Sequence, residues 1–304
     1  MLFKLRSYLS ITVVAIAFSL YSCSSGGNKN SAGDIKVDST EVEQDIFADI
    51  SHAKQIFYSL PSPLESAVLI KSAGATYNEN YLNSLSNAKN YTTNRSMSLN
   101  LGIYITDLSY ASLFDQAQTT IKYMDAAKKM ADGLGIIDAI DKSTMDRLEE
   151  NINNRDVILD IISETFMSST AFLKENDRQP LATISLVGGW VEGLYLATQL
   201  VGDASISNNK IVDRIVDQKL SLDMVLKLIQ NNSENSDIMS ISEQINSLKS
   251  VYDKITIKST KIQPVVDEKT NVTTLKSTST SNITPEVFKE LKETVKTIRT
   301  NFTL

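Results

Sequence analysis

The chain is poor in several residue types that other protein classes need. A single Cys and a single His among 304 residues exclude an internal disulfide framework, a thiolate zinc site and a multi-histidine metal centre. Only 11 Gly and 5 Pro exclude a collagen-like or broadly disordered chain. A net charge of −6 gives no electrostatic basis for binding nucleic acid. The sequence also lacks a phosphate-binding glycine loop, a His-Glu-x-x-His motif, a calcium loop and a nucleophile elbow. It therefore predicts a protein that is not an enzyme and needs no cofactor or metal.

The N-terminus has the pattern of a processing segment. Lys4 and Arg6 precede an apolar stretch, Leu9–Leu20, that is too short to span a bilayer. The sequence Leu20-Tyr21-Ser22-Cys23 then resembles the lipobox of bacterial lipoproteins. This resemblance implies that a signal peptide, residues 1–22, is removed and that lipid, including palmitate, anchors Cys23 to the membrane. The alternative is an ordinary cleavage site followed by a free Cys.

Residues 23–40 are predicted to be a flexible tether, because Ser, Gly and Asn cannot build a core. Asp38-Ser39-Thr40 resembles the O-glycosylation sequon of Bacteroidetes envelope proteins, which would modify Ser39; the alternative is a plain linker serine. Surface-exported lipoproteins of that group tend to carry acidic residues directly after the Cys. Residues 24–30 contain none, which predicts an outer-membrane protein that faces the periplasm.

The remaining residues, 41–304, are predicted to form one all-α domain, a bundle of about nine to ten helices. Apolar residues recur every three or four positions, as in Val287, Leu291, Val295, Ile298 and Phe302. Helix starts that resemble a capping box are expected at Ser62, Ser143 and Ser240, and Thr284 is expected to start the last helix. The predicted helices are 41–58, 62–74, 77–91, 95–114, 115–133, 143–176 with a break near Asn153, 179–201, 208–230, 238–256 and 284–302. Residues 257–283 lack this period and predict either a β-hairpin turning at Asp267–Asn271 or disorder.

One candidate site lies in the apolar segment Asn100–Gln118. Helical phasing places four polar residues on or beside one line, Asn100, Tyr104, Asp107 and Gln118, and Tyr110 lies next to it. A buried acid among phenols must find partners or take up a proton. The pattern favours a buried hydrogen-bond network that fixes helix register, and a polar ligand pocket is the alternative. Asp115 is interpreted as the cap of a new helix.

A second candidate lies in Leu181–Leu200. Ser185 and Glu192 share one helix face, and Tyr195 lies alongside it. Gly188, Gly189 and Gly193 indicate close approach of another backbone or a ligand, since glycine inside a helix costs about 1 kcal/mol. Tight packing, with Glu192 paired to a Lys, Arg or Tyr, is favoured over a cavity shared by Asp107 and Glu192.

The body also resembles the uncharacterised all-helical lipoproteins of Bacteroidetes envelopes, through the segments LGIYITDLSYASLFDQ and GGWVEGLYLATQ. This resemblance implies no activity. The favoured hypothesis is a scaffold or binding module for another envelope protein, held by its lipid at the membrane. The alternatives are a small-ligand-binding lipoprotein with a polar pocket near Asp107 and Glu192, and a hydrolase with an unfamiliar site.

Overall fold

The computed structural model describes residues 75–137, 142–202, 206–260, 263–267, 272–276 and 279–304, which belong to one compact unit. They are mostly helical, which confirms the predicted all-α class. The α-helices of this part are α1 Asn94–Leu113, α2 Ala117–Gly133, α3 Lys142–Glu150, α4 Arg155–Glu175, α5 Gln179–Val201, α6 Lys210–Gln230, α7 Ser236–Tyr252 and α8 Pro285–Phe302. Two short 3-10 helices, Glu79–Tyr81 and Leu85–Lys89, precede α1. The predicted helices 41–58 and 62–74, with the start at Ser62, lie outside the described residues.

The prediction of one helix over 77–91 is wrong. The two 3-10 helices are separated by extended backbone, with ψ of 154° at Leu82 and 129° at Ser84. Polar side chains compete with helical hydrogen bonding here. The Asn78 side chain accepts from the Asn80 N–H at 3.0 Å, and Ser84 Oγ accepts from the Ser86 N–H at 3.3 Å. Residues 75–91, called the strap below, therefore form an irregular segment.

Several predicted helix boundaries are confirmed and others are corrected. The break near Asn153 is confirmed, because the Asn154 side chain caps α4 by accepting from the Val157 N–H. The Thr284 side chain caps α8 as expected. The cap at Asp115 is wrong: this residue has φ of 58° in the turn before α2, and α2 follows Gln116. The start at Ser240 is also wrong, because α7 begins at Ser236 and the Asn235 side chain caps it.

The only strands in the described residues follow α7. β1 (Ile257–Ser259) pairs antiparallel with β4 (Ser279–Ser281), and β2 (Gln263–Asp267) pairs antiparallel with β3 (Val272–Lys276). Asp267 lies opposite Val272, so the two strands pair on either side of the turn that the hairpin alternative predicts.

Helices α1 and α5 form the centre of the fold and make its most extensive interhelical contact. Glycines permit this contact. A Cβ at Gly102 would meet the Ser185 carbonyl and lie 2.7 Å from the Gly189 nitrogen, and one at Gly188 would meet the Leu99 carbonyl. The backbone that the sequence predicted to lie close to Gly188 and Gly189 is therefore that of α1. Helix α8 packs against α5 and α7 and touches α1.

Helix α5 is the only described helix that is long and apolar enough to cross a membrane. Its most apolar 18-residue window is 78% buried inside the protein. Its apolar surface is therefore largely used in packing against its neighbours.

Candidate functional site

Asp107 of α1 and Glu192 of α5 meet in the interior of the bundle. Both residues are 0% exposed, and the Glu192 carboxyl group lies close enough to raise the pKa of Asp107. The close approach of the two helices at Gly102 and Gly189 brings the carboxyl groups together. The two candidate sites of the sequence are thus parts of one buried cluster.

Arg299 of α8 neutralises Glu192. Its Nε and Nη2 donate to the two carboxylate oxygens at 2.9 and 3.1 Å, a bidentate pair. The Arg299 guanidinium also lies 4.9 Å from the ring centre of Tyr195, which explains the position of that tyrosine beside Glu192. Burial lowers the pKa of Arg299, but Glu192 outweighs this effect and the net pKa is raised. We call Asp107, Glu192 and Arg299 the acid cluster.

Asp107 has no cation of its own among the described residues. Burial and then the Glu192 carboxylate raise its pKa well above the ordinary value for aspartic acid. Asp107 Oδ2 accepts from the Asn83 N–H at 3.0 Å, whereas no group in the described residues donates to Oδ1. The direction of this pKa shift favours the protonated form of Asp107, because a proton removes the repulsion between its carboxylate and that of Glu192.

The strap covers the acid cluster and is bound mainly through its own main chain. Asp107 accepts the Asn83 N–H, and Arg299 Nη2 donates to the Tyr81 carbonyl at 3.3 Å. The Asn83 side chain is itself fully buried and donates to Asn100 Oδ1 at 2.9 Å and to the Tyr91 hydroxyl at 3.1 Å. Asn83 is therefore the centre of the contact between the strap and the body.

Three tyrosine hydroxyls complete this contact. Tyr123 of α2 donates to the Asn83 carbonyl at 2.9 Å, and Tyr104 of α1 donates to the Ser84 carbonyl at 3.0 Å. The Tyr110 hydroxyl accepts from the Asn78 N–H at 3.2 Å. Burial raises the pKa of all three phenols, that of Tyr110 to about 12, so each remains a neutral hydroxyl near neutral pH.

The same network holds the end of α8. Asn100 Nδ2 donates to the Phe302 carbonyl at 3.0 Å, and the Tyr91 hydroxyl donates to the Thr303 carbonyl at 3.1 Å. These carbonyls belong to the end of a helix, where no intrahelical donor remains for them. The C-terminal helix, the strap and α1 are therefore fixed to one another by one set of buried polar groups.

Two of the predicted site residues have other positions. Gln118 is exposed on α2 and lies outside the network, because the chain turns at Asp115 before Gln118 can continue the face of α1. Ser185 is buried at the contact with Gly102, and its hydroxyl has no hydrogen-bond partner among the described residues. The predicted lipidation of Cys23 and glycosylation of Ser39 fall on residues outside the described ranges.

Sequence reasoning missed four members of the network, Asn83, Tyr91, Tyr123 and Arg299. A signal exists for Arg299, which lies four residues after Val295 and three before Phe302, on the apolar face of α8. A lone cation on such a face indicates a buried anionic partner. No comparable signal marks Asn83, because it belongs to a segment with many Asn and Ser residues.

Neither of two cavities found elsewhere in the described body is lined by the acid cluster. An apolar cavity of about 40 Å³ lies between α1, α2, α3 and α4, beside Leu101 and Leu108. A polar cavity of about 60 Å³ lies at the corner of α1 and α2, beside Asp115 and Arg155. No group of three or more His, Cys, Asp or Glu side chains in the described residues is arranged to hold a metal ion. At the acid cluster, main-chain atoms of the strap contact Asp107 and Arg299.

No protein family model, curated protein or solved structure gives a significant match to this chain.

Proposed function

We propose that this protein is a lipid-anchored lipoprotein of the cell envelope, facing the periplasm, whose helical body binds another envelope protein. The anchor rests on the basic n-region, the apolar stretch and the lipobox-like sequence ending at Cys23. Acyl chains attached there contribute about 0.8 kcal/mol per buried CH₂ group to membrane binding. The acidic net charge gives no electrostatic attraction to anionic lipid.

The observation that carries the binding-module proposal is the way in which the buried polar groups are used. Asp107, Glu192 and Arg299 are engaged with one another and with the strap. Pockets for small molecules usually enclose about 300–1,000 Å³. The two cavities described above, of about 40 and 60 Å³, are far smaller. At the acid cluster, which lines neither cavity and is bound by the strap, this supports a scaffold or binding module over a small-ligand site or a hydrolase.

The anchor is tested by replacing the lipidated residue. We predict that Cys23→Ser yields an unprocessed or released protein that leaves the detergent phase on Triton X-114 partitioning, whereas the wild type stays in it. Ser25→Ala, in the same tether, is the matched control and should partition like the wild type. If the Cys23→Ser protein stays in the detergent phase as the wild type does, the lipid anchor is wrong.

The orientation and the partner need separate experiments. Protease treatment of intact cells should leave the protein whole, and degradation without lysis would place it on the outer surface. Crosslinking in native envelopes, followed by purification of the tagged chain, should recover one stoichiometric envelope protein. The Cys23→Ser form should recover it less well, because the anchor concentrates both proteins at one membrane. Recovery of no protein above the untagged control would contradict the binding module.

A further inference from the structure

A groove lies between helices α2 and α4, above the central helix α1. Both helices pack on α1, but they make at most a slight contact with each other. The apolar cavity of about 40 Å³ described above lies in this groove and is partly open. Three buried residues of α1, Leu101, Ile105 and Leu108, line it and form its floor.

Small side chains in the walls leave this cavity unfilled. Ala127 of α2 lines it and is only 7% exposed, and its side chain ends at Cβ. Thr165 of α4 donates its hydroxyl to the Ile161 carbonyl at 2.7 Å, so this hydroxyl is used within its own helix. An entering group would therefore meet an apolar surface.

The size of the cavity determines what can enter it. A water molecule needs about 10–15 Å³ of such space, so the cavity has room for about three waters. That is close to the bulk of one aliphatic side chain, such as that of Val, Leu or Ile. A whole small-molecule ligand is far too large for it. A single anchor side chain seated in a pocket is a common centre of a protein interface.

The rim of the cavity carries a cation that no described carboxylate pairs with. Lys128 of α2 lines the cavity and is exposed. Across the groove, Arg147 of α3 and Glu164 of α4 directly precede two other lining residues, and they already pair with each other at 3.3 Å. The spare charge at this opening is therefore positive, and an acidic residue of a partner complements it.

We propose that this cavity is where the helical body docks its envelope partner, and that it takes one aliphatic side chain of that protein beside a carboxylate. The aliphatic group fills the cavity, and the carboxylate pairs with Lys128. The apolar contact supplies affinity, whereas the charge pair supplies selectivity and a faster association. This inference rests on the proposed binding function and names the site at which it operates.

The chemistry of the cavity is tested on the purified full chain with 4-methylpentanoate, which joins an isobutyl group to a carboxylate. We expect a Kd on the order of 1 mM, seen by NMR as shifts of the methyl resonances of Leu101, Ile105 and Met124, which line the cavity. Propanoate lacks the isobutyl group and 4-methylpentanamide lacks the charge, so each should bind severalfold more weakly. If 4-methylpentanoate shifts none of these resonances, the inference is wrong.

The partner is tested by crosslinking in native envelopes with variants of the rim and the wall. Lys128→Glu should reduce recovery of the stoichiometric partner at least about fivefold, because it puts like charges together. Lys122→Glu, which changes an exposed lysine of the same helix that does not line the cavity, is the matched control and should recover it normally. Ala127→Leu fills the cavity and should also reduce recovery and abolish binding of 4-methylpentanoate. If thermal melting shows that Ala127→Leu is unfolded, Lys128→Glu alone decides the result.

The outcomes separate this inference from the proposed function. Equal recovery with Lys128→Glu and wild type would overturn the docking site and leave the binding module standing. Recovery of no partner by the wild type would contradict the binding module, and this site with it. A photocrosslinker at position 128 then identifies the occupant, which should be an aliphatic residue beside Asp or Glu of the partner. Crosslinks to residues 41–74 of the same chain, or to a second copy of it, would overturn the envelope partner as the occupant.

Discussion

At the scale of single residues, Asp107 is a buried acid that has no cationic partner of its own among the described residues. Its Oδ2 accepts the Asn83 N–H, and its Oδ1 has no donor among the described residues. A carboxamide offers the same acceptor and a permanent donor. Asn therefore reproduces the hydrogen-bonding pattern of a protonated Asp at this position.

We predict that Asp107→Asn changes the free energy of unfolding by less than about 1 kcal/mol, whereas Asp107→Ala loses about 1–3 kcal/mol for each polar group it leaves unpaired. Among polar positions of the body, Asp107 should be one of the most costly to truncate. Denaturant unfolding of both variants beside Glu293→Ala, a surface control expected within about 0.5 kcal/mol of wild type, measures this. If Asp107→Ala is as stable as wild type, the residue has no structural role.

The raised pKa of Asp107 has a defined consequence for stability. A folded-state pKa above the unfolded value of about 3.9 means that the native protein binds the proton more tightly. The stability that this proton supplies is complete below that unfolded pKa and is lost as the pH rises through the raised pKa. We predict that wild type loses stability relative to Asp107→Asn as the pH is raised from acid to neutral, as followed by urea unfolding at each pH. Parallel pH curves for the two proteins would contradict the assignment.

The sequence predicted the buried acid but not its partners. Spacing alone placed Asn100, Tyr104 and Asp107 on one face of an apolar helix, and all three are in the network. The spacing could not reveal that Asn83 contacts Asp107, since this hydrogen bond joins residues 24 positions apart and Asn83 belongs to an irregular segment. Gln118 was misplaced because a turn at Asp115, with positive φ, interrupts a face that the sequence pattern continues.

At the scale of elements, the contact of α1 with α5 requires the absence of side chains at particular positions. We predict that Gly102→Ala destabilises the protein by about 1–3 kcal/mol or more, because its Cβ would meet the backbone of Ser185, which cannot rotate away. Gly133→Ala is the matched control, since the Cβ there would meet only the flexible end of the Met97 side chain. Thermal melting of both variants tests this, and equal losses would mean that the helices can separate at little cost.

The docking of α8 depends on one buried ion pair. We predict that Arg299→Met destabilises the protein by about 3–5 kcal/mol, because it removes the guanidinium that pairs with the fully buried Glu192 carboxyl group. The double variant Arg299→Met with Glu192→Gln should recover much of that loss, since no charge then remains at that pair. A double-mutant cycle of unfolding free energies measures the coupling. Strictly additive losses would contradict the pairing.

Helix periodicity located most elements of the described part, because an amphipathic helix repeats its apolar face regardless of what covers it. It failed for residues 77–91, where apolar residues also recur every three or four positions. There only short 3-10 turns form, and main-chain groups of Asn78, Asn83 and Ser84 bond to the hydroxyls of Tyr110, Tyr123 and Tyr104. Tertiary partners of this kind leave no periodic trace in the sequence.

At the scale of the whole molecule, hydrogen bonds fix the strap to the helical body. We propose that a lipid anchor holds this body at the membrane. The strap leads from residue 75 to α1 and covers the acid cluster, so the strap and helix α8 are held by the same polar groups.

The measurement that tests the role of the acid cluster most directly is residue-resolved amide hydrogen exchange of the strap. The Asn83 N–H is buried and bound to Asp107, whereas Thr92 is exposed. We predict that Asn83 exchanges at least about a hundredfold more slowly than Thr92 in the wild type, and that Asp107→Ala removes most of this difference while Asp107→Asn retains it. If Asn83 and Thr92 exchange at the same rate in the wild type, the acid cluster does not hold the strap, and the central claim is wrong.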